Sequence, residues 1–176
     1  VFKINECALT DSQYEEMLDR GELRPHFEDS EEYGHFMFNR KLSGERLESG
    51  WYKADCLAHK SMGSYSRFRE FRQGLAKIDY ILNSPLGTIY KKDSGFLYDA
   101  SDYYQNKILE CESHPLYSFM STLNDGGVLT TSECKLTLTQ FKKLEGTILR
   151  HTNKNLLEDF RPWVELLELA VDSGSA

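Results

Sequence analysis

The chain has 176 residues, 40% of them hydrophobic, 12% aromatic and 28% charged, a composition that packs a core and sets it apart from disordered chains. Its 21 basic residues against 28 acidic ones leave a net charge of −7, a poor balance for general nucleic-acid binding, which relies on basic groups to neutralise phosphates. No stretch approaches the roughly 18 consecutive apolar residues of a membrane span, and no basic-then-apolar signal peptide opens the chain.

Residues 1–6 have the look of a short strand. A helix then begins at Thr10-Asp11-Ser12, with Ser12 and Glu15 spaced as a capping box, Tyr14, Met17 and Leu18 on its apolar face, and Gly21 placed to end it. Residues 22–34 are polar and read as a solvated loop. The acids Glu28, Asp29, Glu31 and Glu32 crowd together there and offer a contact for a basic protein partner. They lack the pattern of a calcium loop. Residues 35–42 alternate Phe36 and Phe38 with polar neighbours, and residues 51–57 alternate Tyr52, Ala54 and Cys56 with Lys53 and Asp55. Both read as strands.

The stretch from 62 to 78, MGSYSRFREFRQGLAKI, organises the rest. Tyr65, Phe68, Phe71 or Arg72, Leu75 and Ile78 recur at helical spacing, while Arg67, Arg69, Glu70, Gln73 and Lys77 fall largely on the other face. Either Ser64 or Ser66 can cap this helix, which runs to about Leu82. Its start supports two readings. One is a plain cap. The other is an anion site built from free backbone N–H groups, two hydroxyls and Arg67.

Residues 88–98 suggest a hairpin around Gly95, and Asp99 or Ser101 can cap a helix carrying Tyr103, Tyr104, Ile108 and Leu109. After Ser113-His114-Pro115 the apolar run of Leu116, Tyr117, Phe119, Met120 and Leu123 reads as helix or strand, a short helix being the favoured reading, and Asn124-Asp125-Gly126-Gly127 is a turn. Thr130 and Glu133 form a second capping-box spacing before a helix with Leu136, Leu138, Phe141, Leu144, Ile148 and Leu149. A last helical region starts at Asn153 or Asn155, is kinked or restarted by Pro162, and ends at Gly174. The expected fold is α+β: a single domain over residues 1–176, with a small antiparallel sheet packed against several helices.

Three stretches together resemble a family of small uncharacterised bacterial and phage proteins. Gly63-Ser64-Tyr65-Ser66 with Phe71-Arg72 and Leu75-Ala76 is similar to its GSYSGYN…WR…LA motif. Residues 123–128, with Lys135-Leu136 and Phe141, resemble its FSDCEG-(V/I)-G-P…KL…F motif. Trp163 with Leu167-Glu168-Leu169-Ala170 and Asp172-Ser173-Gly174 resembles its W…FELA-D-NG ending. The chain departs from the pattern at Arg67-Phe68-Arg69, where the family has Gly-Tyr-Asn, and at Asn124-Asp125-Gly126, where it has Asp-Cys-Glu. The resemblance implies a fold and a prokaryotic or viral origin, not a reaction.

No GxSxG, HExxH or GxxxxGK[ST] motif is present, and the histidines at 26, 35, 59, 114 and 151 show no paired spacing. Cys7, Cys56, Cys111 and Cys134 form no CxxC pair. They read as reduced cytosolic thiols, with two disulfides left open by sequence alone. No metal and no cofactor is expected. Two functions stand against each other. The first is a cytoplasmic, non-enzymatic regulator or inhibitor that binds another protein. The second is a small-ligand or phosphate-binding enzyme in which Ser64, Tyr65, Ser66 and Arg67, flanked by His59, meet Asp125 in one pocket.

Overall fold

The computed structural model describes residues 1–4, 9–22, 33–36, 48–58, 60, 64–83, 100–122, 128–151 and 154–174. In chain order the elements are β1 (Phe2–Ile4), α1 (Asp11–Asp19), β2 (Tyr33–Phe36), β3 (Gly50–Cys56), α2 (Tyr65–Asn83), α3 (Ala100–Leu109), α4 (Tyr117–Ser121), α5 (Thr131–His151) and α6 (Lys154–Ser173). The fold is α+β, as the alternation of strand-like and helical periodicity predicts. None of the described helices is long and apolar enough to cross a membrane.

The sheet is antiparallel in the order β1-β3-β2, with Ile4 opposite Ala54 and Phe36 opposite Gly50. Alternation along β3 sends Tyr52 and Ala54 to one face, where they pack with Phe36, Ile4 and Val128. Trp51 lies on the other face. Tyr14 of α1 stacks on it, with ring centroids 3.8 Å apart and planes 2° from parallel, and the Trp51 indole donates to Asp11 Oδ1 at 2.9 Å. The helix expected to start with a Ser12–Glu15 box is instead capped by Thr10. The Thr10 hydroxyl accepts from the Gln13 amide at 3.3 Å, and the Gln13 carboxamide accepts from the Thr10 amide at 2.9 Å. Gly21 ends α1 as expected, with a left-handed φ of 67° that a side chain would strain.

The larger core lies among α2 to α6. Phe71, Leu75 and Ile78 of α2 meet Tyr104 and Ile108 of α3, Leu116, Phe119 and Met120 at α4, Phe141, Leu144 and Ile148 of α5, and Phe160 and Leu167 of α6. Phe141 stands at its centre, ringed by Phe71, Phe119 and Phe160 at centroid distances of 6.4, 5.3 and 5.2 Å. Gly74 permits the close approach of α2 and α6, since a Cβ there would sit 3.2 Å from a Leu156 methyl. Pro162 lies inside a continuous α6. The hairpin expected at 88–98 and most of the strand expected at 35–42 fall outside the described residues.

Candidate functional site

The amino-terminal turn of α2 was singled out by sequence, and its geometry follows from its polar side chains. Ser64 is the cap: its hydroxyl accepts from the Arg67 amide at 3.3 Å and lies 2.8 Å from the Ser66 hydroxyl. Ser64, Ser66 and Arg67 are exposed, and Tyr65 is 65% exposed rather than on the buried stripe, which begins at Phe68. Arg67 reaches to α6. Its Nε donates to both oxygens of Asp159 at 2.9 and 3.0 Å, and its Nη2 donates to Oδ1 at 2.6 Å. The Asp159 side chain is 11% exposed and that of Arg67 49% exposed, so the carboxylate is the nearly buried end of the pair. The hydrogen bonds to Asp159, followed by its charge, raise the Arg67 guanidinium above its ordinary pKa. A second ion pair joins the chain just before α2 to α6, with the Lys60 ammonium donating to Glu165.

The turn expected at Asp125 falls outside the described residues, and α2 fixes the end of α4, the helix that precedes it in the chain. Arg72 is buried with its guanidinium 4.6 Å over the Phe68 ring, and Nη1 donates to the carbonyls of Met120, at 3.2 Å, and Thr122. Burial, then the neighbouring Arg69, lowers its pKa. Arg72 lies two turns along α2 from Ser64, about 12 Å at the usual rise. Asp125 itself, His59 and the acids Glu28, Asp29, Glu31 and Glu32 lie outside the described residues.

A second polar cluster escaped the sequence reading. Asp79 of α2 is buried, and Gln140 of α5 donates to its Oδ1 at 2.6 Å. His114, in the turn between α3 and α4, places Nε2 3.1 Å from Asp79 Oδ2, while its Nδ1 accepts from the Leu116 amide at 3.1 Å. Because Nδ1 accepts, the proton of the neutral ring belongs on Nε2, which donates to Asp79. Both ring nitrogens are therefore occupied within the fold. Asp79 follows Leu75 and Ile78 at helical spacing, so a polar residue inside an apolar stripe was the available signal. Its partners, far along the chain, leave no trace in local spacing.

Glu133 is a third buried carboxylate. Ser118 donates to its Oε1 at 2.5 Å, and the Thr130 amide and hydroxyl donate to Oε2 at 2.9 and 3.1 Å. This is the expected Thr130–Glu133 capping box, extended so that it also holds α4. Among the described residues no group of three or more His, Cys, Asp or Glu side chains is placed to hold a metal, and Cys56, Cys111 and Cys134 are free thiols. No protein-family model matches this chain, and no curated protein or solved structure matches it either.

Proposed function

We propose that this is a cytoplasmic, non-enzymatic protein of bacterial or phage origin that works by binding another protein, as a regulator or inhibitor. One observation carries the reading: the polar groups best suited to ligand chemistry are already engaged by other groups of the chain. Arg67 is forked onto Asp159, and both nitrogens of His114 are taken by Asp79 and the Leu116 amide. The net charge of −7 and the acids Glu28, Asp29, Glu31 and Glu32 favour a basic partner. Free thiols at Cys56, Cys111 and Cys134 suit a reducing compartment.

The test is charge reversal of those four acids to Lys, followed by affinity capture from a bacterial host lysate at low and raised salt. The reading expects a discrete basic protein retained by the native chain, weakened by salt and lost with the reversed chain. Equal retention by both chains sinks the acidic-surface form of the proposal.

The alternative is a small-ligand or phosphate-binding enzyme at Ser64, Tyr65, Ser66 and Arg67, joined by Asp125. It is favoured by the exposed, touching hydroxyls of Ser64 and Ser66 at the start of α2. Phosphate titration followed by amide NMR separates the two. Saturable shifts confined to the amides of 64–67 support the ligand site, and their absence removes it.

A further inference from the structure

We infer that the turn between α3 and α4 is a proton-operated latch. His114, hinged on Asp79 through Nε2, holds the start of α4 through Nδ1, and protonation of Nδ1 releases that hold. The latch operates whatever the protein binds.

The two ends of the imidazole respond to a proton in opposite ways. At Nδ1 the neutral ring accepts the Leu116 N–H at 3.1 Å. A proton there sets donor against donor, and that hydrogen bond is lost. At Nε2 the same event turns a neutral donor into a charged one facing the Asp79 carboxylate at 3.1 Å, which strengthens that contact. The far oxygen of Asp79 is held by Gln140 at 2.6 Å, so the hinge stays in place while the Leu116 side opens.

The surrounding groups fit this division. From α2 the ring faces Asp79, and from α5 the neutral amide of Gln140 stands behind that carboxylate, with the exposed Lys143 one turn further on. From α3 comes Lys107, paired at 2.6 Å with Glu110 just beyond the helix, both of them exposed. The ring's own turn carries the exposed Cys111 and Glu112, and α4 opens with the half-buried Tyr117. Among the described residues, Asp79 is thus the charged group in hydrogen-bond contact with the ring.

What the latch holds is a helix that needs holding. The five residues of α4 are too few to be stable alone, and its N-cap, Leu116, makes no side-chain capping bond. Leu116 is fully buried, so its released amide lacks ready access to water. Other bonds also hold α4: the Tyr117 amide donates to the His114 carbonyl at 2.9 Å in the same turn, Ser118 donates to Glu133, and Arg72 donates to the Met120 and Thr122 carbonyls. Release at His114 therefore removes one of the bonds on the first turn and leaves the end in place.

NMR on the intact protein tests this. The ring nitrogen shifts of His114 and the exchange protection of the Leu116 amide, corrected for intrinsic exchange, would be followed from about pH 8 to about pH 5. The latch expects an unprotonated Nδ1 at the alkaline end. It then expects Leu116 protection to fall on the order of tenfold as the ring titrates, the loss of roughly one hydrogen bond. His114→Asn keeps an acceptor for the amide two residues on and cannot be protonated, so Leu116 should stay protected throughout. His114→Gln keeps a donor towards Asp79 without that acceptor, so protection should be low throughout. A proton on Nδ1 at the alkaline end, or pH-independent Leu116 protection in the native chain, overturns the inference whether or not the variants fold. So does an Asn variant that titrates like the native chain.

Discussion

Two arginines on α2 show how differently one side chain is used according to its surroundings. Arg67 sits at the surface, and its fork grips the two oxygens of Asp159, tying the first turn of α2 to α6. Arg72 is buried and answers backbone carbonyls instead. Its planar cation lies on the Phe68 face while Nη1 caps the end of α4. Replacing it leaves the Met120 and Thr122 carbonyls short of a donor in a largely closed site. Arg72→Met should therefore lower unfolding stability by about 2 kcal/mol in urea titrations, although it matches much of the volume. Arg72→Lys should recover less than half of that, because an ammonium has no flat face to lie on the Phe68 ring. Full recovery by Lys would show that charge alone matters at this position.

At the scale of elements, the helix starts are where local chemistry decides most. Thr130 is buried, and its partner Glu133 is shared with Ser118, so one box begins α5 and also holds α4. Thr10 makes the same motif in exposed surroundings. Thr130→Ala should cost about 2 kcal/mol and Thr10→Ala about 0.5, read as shifts in denaturation midpoint, because only the first leaves a buried carboxylate under-donated. The Thr130–Glu133 pair was legible in sequence because an apolar helical run follows it without a competing spacing. The box on α1 was not: Ser12–Glu15 and Thr10–Gln13 share the three-residue interval, and Gln can serve where Glu is the obvious reading. The same limit applied at α2, where Ser64 rather than Ser66 caps and Tyr65 stands outside the stripe it matches in period. Arg72 on the apolar face was readable from its place beside Phe71. The Asp79–His114–Gln140 cluster was not, because its members lie on three segments that only the tertiary fold brings together.

At the scale of the molecule, the described residues form two apolar clusters of unequal size. The helical one draws on α2 through α6. The smaller one has Phe36, Tyr52 and Ala54 as its buried members, with Ile4 and Val128 packed against them, and α1 adds the Tyr14–Trp51 stack on the opposite face. Among the described residues the links between the clusters are few in kind. Val1, just before β1, packs against the helical cluster, and Val128, which packs against the sheet, comes three residues before α5 begins. Less buried apolar area means less opposing the entropy of opening, so the sheet with α1 should open at a lower free energy than the helical body. Native-state hydrogen exchange across sub-denaturing urea should resolve two groups of amides. Those of β1, β3 and α1 should exchange first, and those around Phe141, Leu144 and Phe160 only with global unfolding. Tyr14→Ala removes the stack on Trp51 and should speed exchange in the first group while leaving the second within error. Phe141→Ala should cost about 3–5 kcal/mol and lower protection through the helical body. If Tyr14→Ala instead lowers protection equally in both groups, sheet and helices unfold as one cooperative unit, and the few links between the clusters are strong enough to bind them.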